Sequence, residues 1–438
     1  MERTDLRGKV LTTSELRRIL PRASLDTTRA TLQVQPLIDQ VRSRGAEALY
    51  ALAEKYDQIR PPYLRIPQKK ITLALENLDP NIRAALETSI EAARLGHTQQ
   101  LPQERTTQII TGGSITQRWL PVQRVGLYVP GGLAVYPSSV VMNAVCAQVA
   151  GVPSLAIASP PQKEYEGLPH PTILAACALL GINEVWAIGG AQAIAAFAYG
   201  ITDGHDTLEP VDVVTGPGNI YVAAAKRALQ GTIGIDAEAG TTEIAILADD
   251  TADPRYVAAD LISQAEHDPA AASVLITSSV KLAEKIQHLV VEYAKETRHT
   301  ERILTALAGP QSGIIIVDDI EQGLHVVDAY APEHLEIHTE HANEVALRVH
   351  NAGAIFVGSY TPVPLGDYLA GSNHVLPTGG TARFASGLNV MQYLRSQQVV
   401  EYTQEALSQV SDHLITLAHA ENLPAHGFAA DIRRRNLP

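Results

Sequence analysis

Four side chains in the second half of the chain have the chemistry to share one divalent ion. Gln264 and His267 close the segment Gln264-Ala265-Glu266-His267, which the surrounding pattern predicts as the end of a helix. Residues three apart lie on one helical face, so both can point at one ion while Glu266 is directed elsewhere. Asp367 stands in the turn-rich Val363-Pro364-Leu365-Gly366-Asp367-Tyr368. His426 follows a C-terminal helix in Glu421-Asn422-Leu423-Pro424-Ala425-His426. Two imidazoles, a carboxylate and an amide suit zinc's borderline preferences, and a weak amide ligand would leave room for a substrate. Each residue also has a plainer use. Gln264 and His267 fit an exposed or capping pair, Asp367 an Asx turn or N-cap, and His426 a partner for the helix dipole.

Acid–base chemistry is available at Ala331-Pro332-Glu333-His334-Leu335-Glu336. Pro332 ends a predicted helix and Leu335 starts a strand, so Glu333 and His334 sit at a corner. A histidine is the usual base for a hydroxyl proton near neutral pH, and a glutamate of raised pKa can activate water. Oxidising an alcohol through to an acid needs both operations. Surface polar residues at a corner remain the alternative.

Three glycine-rich turns follow predicted strands: Tyr128-Val129-Pro130-Gly131-Gly132, Gly189-Gly190-Ala191-Gln192 and Thr215-Gly216-Pro217-Gly218-Asn219-Ile220-Tyr221. None is a GxGxxG fingerprint, since Tyr221 stands where the third glycine belongs. The last could still present backbone amides at a helix N-terminus to a pyrophosphate. Together the turns suggest one ligand crevice; singly each is ordinary loop chemistry.

These groups need a framework. From residue 124 onward, β-branched runs alternate with Ala-rich helical stretches. Strands are expected at 124–129, 154–158, 184–188, 211–214, 243–248, 273–276, 313–317, 335–338 and 354–357. Helices are expected at 138–150, 171–180, 191–199, 219–230, 254–267 and 319–329. Nearly continuous apolar strands between helices indicate parallel sheets covered on both faces, and nine strands suit two sheets. In such sheets ligands gather at the carboxyl ends of strands, where the motifs are expected to lie. Residues 34–57 and 79–100 read as amphipathic helices, and 390–397 and 403–420 as helical stretches. The expected fold is α/β, with two Rossmann-like parallel-sheet domains, a helical N-terminal arm and a helical C-terminal tail. The division is 1–30 for the arm and 31–123 with 241–378 for the domain bearing the metal and acid–base residues. Residues 124–240 form the nucleotide side and 379–438 the tail.

Composition excludes other classes. The 438 residues are 45% hydrophobic and 18% charged, which is the profile of a packed globular protein. A net charge of −13 argues against nucleic acid or an anionic membrane as partner, and the one basic run, Arg433–Arg435, is a solvated tail. The longest apolar stretches, near 138–159 and 185–201, are broken by Gln148, Gly151, Pro153 or Gln192 and do not suit a bilayer. The N-terminus has no apolar leader, so a cytoplasmic location is expected. Cys146 and Cys177 lack CxxC spacing and an adjacent His, and read as buried structural thiols.

Several of these strings resemble histidinol dehydrogenases. They are Tyr128–Gly132, Tyr136-Pro137-Ser138-Ser139, Gly189–Ala193, Gly216–Asn219, Gln264–Asp268, Pro332–Leu335 and Asn373-His374-Val375-Leu376-Pro377-Thr378. The likeness runs from about residue 40 to the end and is densest from 120 to 390. It implies a homodimeric enzyme that oxidises L-histidinol through L-histidinal to L-histidine with zinc, one ion per subunit, and two NAD molecules in turn. Gln264, His267, Asp367 and His426 would hold the zinc, which grips the substrate's imidazole and amino groups. His334 would be the base and Glu333 the activator of water. Tyr128, Gln192 and Asn219 would contact NAD, while Thr242, His374 and Glu421 complete the substrate pocket. The tail would cross to the neighbouring subunit, so that Glu421 and His426 serve its site. The family usually reads Ala-Gly-Pro-Ser-Glu where this chain has Ala239-Gly240-Thr241-Thr242-Glu243, though Thr242 keeps a hydroxyl. Leu133 replaces a small polar residue, and Cys146 stands where Pro is common. A related zinc- and NAD-dependent dehydrogenase of another small primary alcohol is the alternative.

Overall fold

The structure, a computed structural model, describes residues 1–23, 27–131, 135–237 and 240–434. Gly132, Leu133, Ala239 and Arg435 of the motifs above lie outside the described residues. The apolar runs form two parallel sheets. In chain order their strands are β1 (Glu2–Asp5), β2 (Arg124–Tyr128), β3 (Ser154–Ser159), β4 (Val185–Ala187), β5 (Val213–Thr215), β6 (Gly234–Ile235), β7 (Glu243–Ala248), β8 (Ala272–Thr277), β9 (Gly313–Ile316), β10 (His334–His338) and β11 (Ala354–Val357). The larger sheet runs β1-β9-β8-β7-β10-β11, and the smaller runs β6-β5-β2-β3-β4. This is the expected pair of α/β sheets.

Alternation along the central strands sets both faces of the larger sheet. Ile244, Ile246 and Ala248 pack beneath Val257, Ala258 and Leu261 of helix α1 (Pro254–Ala265). Ala245 and Leu247 join Leu335 and Ile337 on the opposite face, against Leu324, Val327 and Tyr330 of the Ile320–Tyr330 helix. Each fully buried Val, Leu or Ile among them contributes about 1.5–3 kcal/mol. Because Leu335 and Ile337 turn one way, His334, Glu336 and His338 turn toward the α1 face. A polar stripe is thereby buried in the middle of the sheet.

The chain departs from expectation at both ends. Residues 34–57 form two helices, Thr27–Arg44 and Ala46–Tyr56, because Gly45 between them takes φ +53°. Ala30, Val34, Ile38, Val41, Leu49 and Leu52 pack with Trp186, Ile194 and Phe197, on the smaller sheet rather than with residues 241–378. Glu2–Asp5, expected within the helical arm, pairs with β9 as an edge strand. Residues 390–397 are helical only in part: a single 3-10 turn of helix, Val390–Tyr393, leads into the strand Leu394–Tyr402. That strand pairs antiparallel with Gly113–Pro121, a partner far away in sequence that local periodicity does not reveal.

The chain divides into two compact units. One comprises Met1–Gln100 and Gln123–Gln392; the other comprises Leu101–Val122 and Tyr393–Pro438. The second holds a three-stranded antiparallel sheet with the helices Gln404–Ala420 and Pro424–Arg434. Among the described residues no helix is long and apolar enough to cross a membrane. Both cysteines are buried, and burial pushes each thiol well above its ordinary pKa, as befits structural residues.

Candidate active site

Ala331 takes a left-handed conformation, φ +50°, that ends the Ile320–Tyr330 helix, and Pro332 prevents its resumption. The chain then enters β10, where His334 pairs with Ile244 of β7 and Glu333 comes beside Thr242 and Glu243. The Thr242 hydroxyl donates to Glu333 Oε2 at 2.6 Å, and the Glu243 amide donates to the same oxygen at 2.8 Å. His334 Nδ1 lies 3.2 Å from the Glu243 carbonyl and 3.5 Å from Glu333 Oε2. A carbonyl only accepts, so Nδ1 carries the ring proton and Nε2 keeps a free lone pair. Burial lowers the His334 pKa and so favours this neutral form. Burial pushes Glu333 up to about 8, against the hydrogen bonds from Thr242 and Glu243. The pair is a neutral base beside a carboxyl poised near neutrality.

Three of the four expected metal residues, Gln264, His267 and Asp367, lie near the acid–base pair. Gln264 ends α1 and donates its amide Nε2 to Thr242 Oγ1 at 2.7 Å, which leaves its carbonyl oxygen free to bind a cation. His267 and Asp367 line a cleft of 580 Å³ together with Tyr136, Ser138, Ser263 and Arg302. Burial keeps His267 neutral, the form that ligates, and lifts Asp367 to about 6, with His334 opposing the rise. His374 Nδ1 lies 3.2 Å from the Asp367 carbonyl, and its Nε2 lies 3.2 Å from Ser139 Oγ. Burial pushes His374 down to about 4. An amide oxygen, a neutral imidazole and a carboxylate fit a zinc ion, although this donor set is one short of four without His426. Glu421 and His426 belong to the second unit, at the end of its first helix and within its second, and both are exposed.

The glycine-rich turns do lie at carboxyl ends, those of β2, β4 and β5. Since β2 leads to β3 and β4 on one side while β5 and β6 lie on the other, the crevice between β2 and β5 is the topological switch point. Gly216, at φ +119°, passes so close to the Tyr128 carbonyl that a Cβ would stand 2.0 Å from its oxygen. Asp236 Oδ2 accepts from the Gly216 amide at 2.8 Å, and buried Lys226, paired with Asp236 at 2.7 Å, donates to the Gly216 carbonyl. Tyr128 accepts from the Gly190 amide at 3.0 Å, and Gln192 is buried in the first turn of the Gly190–Tyr199 helix. Asn219 spends its side-chain oxygen as an N-cap for Tyr221 and Val222, leaving its amide nitrogen for a ligand.

The acid–base pair does not follow the carboxyl-end rule. Thr242, Glu333 and His334 stand at the amino ends of β7 and β10. The Pro137–Val149 helix, which leaves the β2 end of the smaller sheet, brings Ser139 to His374, and Asn373 donates to its Met142 carbonyl at 2.9 Å. The site therefore forms where the carboxyl edge of one sheet approaches the amino edge of the other.

A profile described as "Histidinol dehydrogenase" matches residues 20–434. The chain belongs to the histidinol dehydrogenase family. Its relatives include the histidinol dehydrogenase of Thermobifida fusca, 59% identical over 99% of this chain and 97% of that one. That of Nocardia farcinica is 59% identical over 99% and 98% of the two chains. The crystal structure of histidinol dehydrogenase from Elizabethkingia anophelis superposes with a TM-score of 0.90 at 29% identity, covering 99% and 98%. As a member of the histidinol dehydrogenase family, the chain is an NAD-dependent oxidoreductase. Local spacing assigns no role to Ser139, Lys226, Asp236, Asp260, Glu336 or His338, which the fold brings beside the motif residues. One signal was present for the last two: His334, Glu336 and His338 recur at period two in a strand whose other residues are apolar.

Proposed function

We propose that the protein oxidises L-histidinol through L-histidinal to L-histidine, using zinc and two NAD molecules in turn. The observation that carries this is the shared hydrogen bonding of Thr242 to Glu333 and Gln264, which ties the acid–base pair to the metal-binding side of one site. Gln264, His267 and Asp367 would hold the zinc, which when bound fixes the substrate's imidazole and amino nitrogens. His426 would complete the set from the neighbouring subunit of a homodimer, a role its exposure permits. In the first oxidation His334 Nε2 takes the hydroxyl proton while the carbinol carbon gives a hydride to NAD. In the second, Glu333 as carboxylate takes a proton from water adding to the aldehyde, and the resulting diol gives a second hydride. Atoms balance: one alcohol, one water and two NAD yield one acid, two NADH and the released protons. His374, kept neutral by burial beside Ser139 and the Asp367 carbonyl, would line the substrate side with Thr242, and Glu421 of the partner subunit would complete it. The Gly216–Asn219 turn, with Tyr128 and Gln192, lies at the switch point where a dinucleotide binds.

The test is the absorbance of NADH formed from L-histidinol, NAD and zinc. Two NADH per histidinol, lost on chelation and restored by zinc, is the expected result. A folded, zinc-loaded protein that turns over another small primary alcohol and not histidinol would replace this reading with the alternative.

A further inference from the structure

Behind the acid–base pair, the same face of β10 carries Glu336 and His338, and α1 lays Asp260 over them. All three are buried, and their ligand-capable atoms lie within 4.8 Å of one another. Glu336 spends both oxygens. Its Oε1 accepts from the amide of Val363, the first residue of helix α2 (Val363–Tyr368), at 2.9 Å. Its Oε2 lies 3.3 Å from His338 Nε2, which is also 4.0 Å from Asp260 Oδ2. A carboxyl oxygen of Asp260 lies within 4.8 Å of one of Glu336, and two buried carboxyls that close favour a proton held between them. Burial lifts both carboxyls, to about 8 and about 7, which agrees with that shared proton.

The trio has the composition of an ion cage, but its hydrogen bonding is against one. His338 Nδ1 is buried and has no partner. An ion on Nε2 would drive the ring proton onto Nδ1, leaving a buried donor without an acceptor; ligating histidines have an acceptor there. With the proton on Nε2, His338 donates to Glu336 and only a lone pair is left unused. The trio is a hydrogen-bonded network.

Its position suggests its use. Asp260 precedes Gln264 by four residues on α1, and Val363 precedes Asp367 by four on α2, so each tie lies one turn from a residue assigned to zinc. We propose that Asp260, Glu336 and His338 are positioning residues that clamp α1 to α2 and so set the separation of Gln264 and His267 from Asp367. This rests on the zinc reading above.

The test uses the full chain, with zinc affinity measured by chelator competition and ligand geometry by the visible spectrum of the cobalt-substituted protein. E336M removes both acceptors at similar volume, and D260A removes the helix side of the clamp on a good helix former. Both are expected to bind zinc about 10- to 100-fold more weakly and to alter the cobalt spectrum. E336Q still accepts from Val363 and can donate to Asp260 but loses the acceptor for His338, so its affinity and spectrum should lie between those of E336M and the wild type. If E336M does not fold, D260A against D260N carries the same comparison. Wild-type affinity and an unchanged cobalt spectrum in E336M or D260A would overturn the proposal, even if their unfolding temperatures fell. So would a second zinc equivalent in the wild type that H338A abolishes. A folded wild type that binds no zinc would instead overturn the zinc reading, and the clamp's role with it.

Discussion

Thr242 is bonded to both Glu333 and Gln264, so T242V probes how the two halves of the chemistry are joined. Valine keeps the volume and removes the hydroxyl. Glu333 Oε2 then loses its 2.6 Å donor and keeps only the Glu243 amide at 2.8 Å. A hydrogen bond to a charged group contributes about 1.5–3 kcal/mol, and that support is withdrawn from the ionised carboxyl alone. At 1.36 kcal/mol per tenfold change, conversion of aldehyde to acid should slow by roughly 10- to 100-fold. Glu333 already lies near 8, and T242V moves it further up. A base acts in its ionised form, so the pH profile of this half-reaction shifts toward alkaline pH. Gln264 Nε2 loses its acceptor as well, at about 1 kcal/mol, so zinc affinity should fall about fivefold. The alcohol step depends on His334, whose Nδ1 is fixed by the Glu243 carbonyl, and should change little. Single-turnover NADH formation from histidinol and from histidinal, at saturating zinc, separates the two; T242S should restore the loss. Equal losses in both half-reactions, or an unchanged aldehyde step, would refute the coupling through Thr242.

H334N should lower alcohol oxidation by about 10²–10⁴-fold, the range for a general base, while zinc content measured by elemental analysis stays at wild type; retained turnover would remove the base. Asp57 is lifted from 3.8 to about 6 by burial, and its Oδ2 has no partner. A carboxyl raised by folding costs no stability below about pH 4, and the cost grows as pH rises to about 6. D57N should therefore stabilise the protein by roughly 1–3 kcal/mol at pH 7–8 and not at pH 4. Thermal unfolding across that range would show the opposite trend if Asp57 were held ionised by an unrecognised partner. H426N should lower zinc occupancy. Equimolar mixing of H426N with H334N chains should restore about a quarter of wild-type activity, because half the dimers are mixed and each has one intact site. No recovery would place His426 in its own subunit's site.

Much of this protein is written locally. The continuous apolar runs at 243–248 and 272–277 announce buried parallel strands, and the Pro332 break announces where β10 starts. Residue type alone marks Glu333 with His334, and Gln264 with His267, as able to do acid–base and metal chemistry. What periodicity could not reveal was partnership across distance. The 394–402 strand is decided by its ladder with 113–121, and Glu2–Asp5 by its place beside β9. The expectation that the motifs lie at the carboxyl ends of strands held for the Gly216 turn and failed for His334, which stands at the amino end of β10. The pairing of Ile244 with His334 sets Thr242 beside Glu333, residues 91 apart, and a slip of one residue would turn His334, Glu336 and His338 to the other face. The sequence determined which groups could react. The tertiary structure decided which of them meet, because the register of buried strands orients side chains that no local spacing relates.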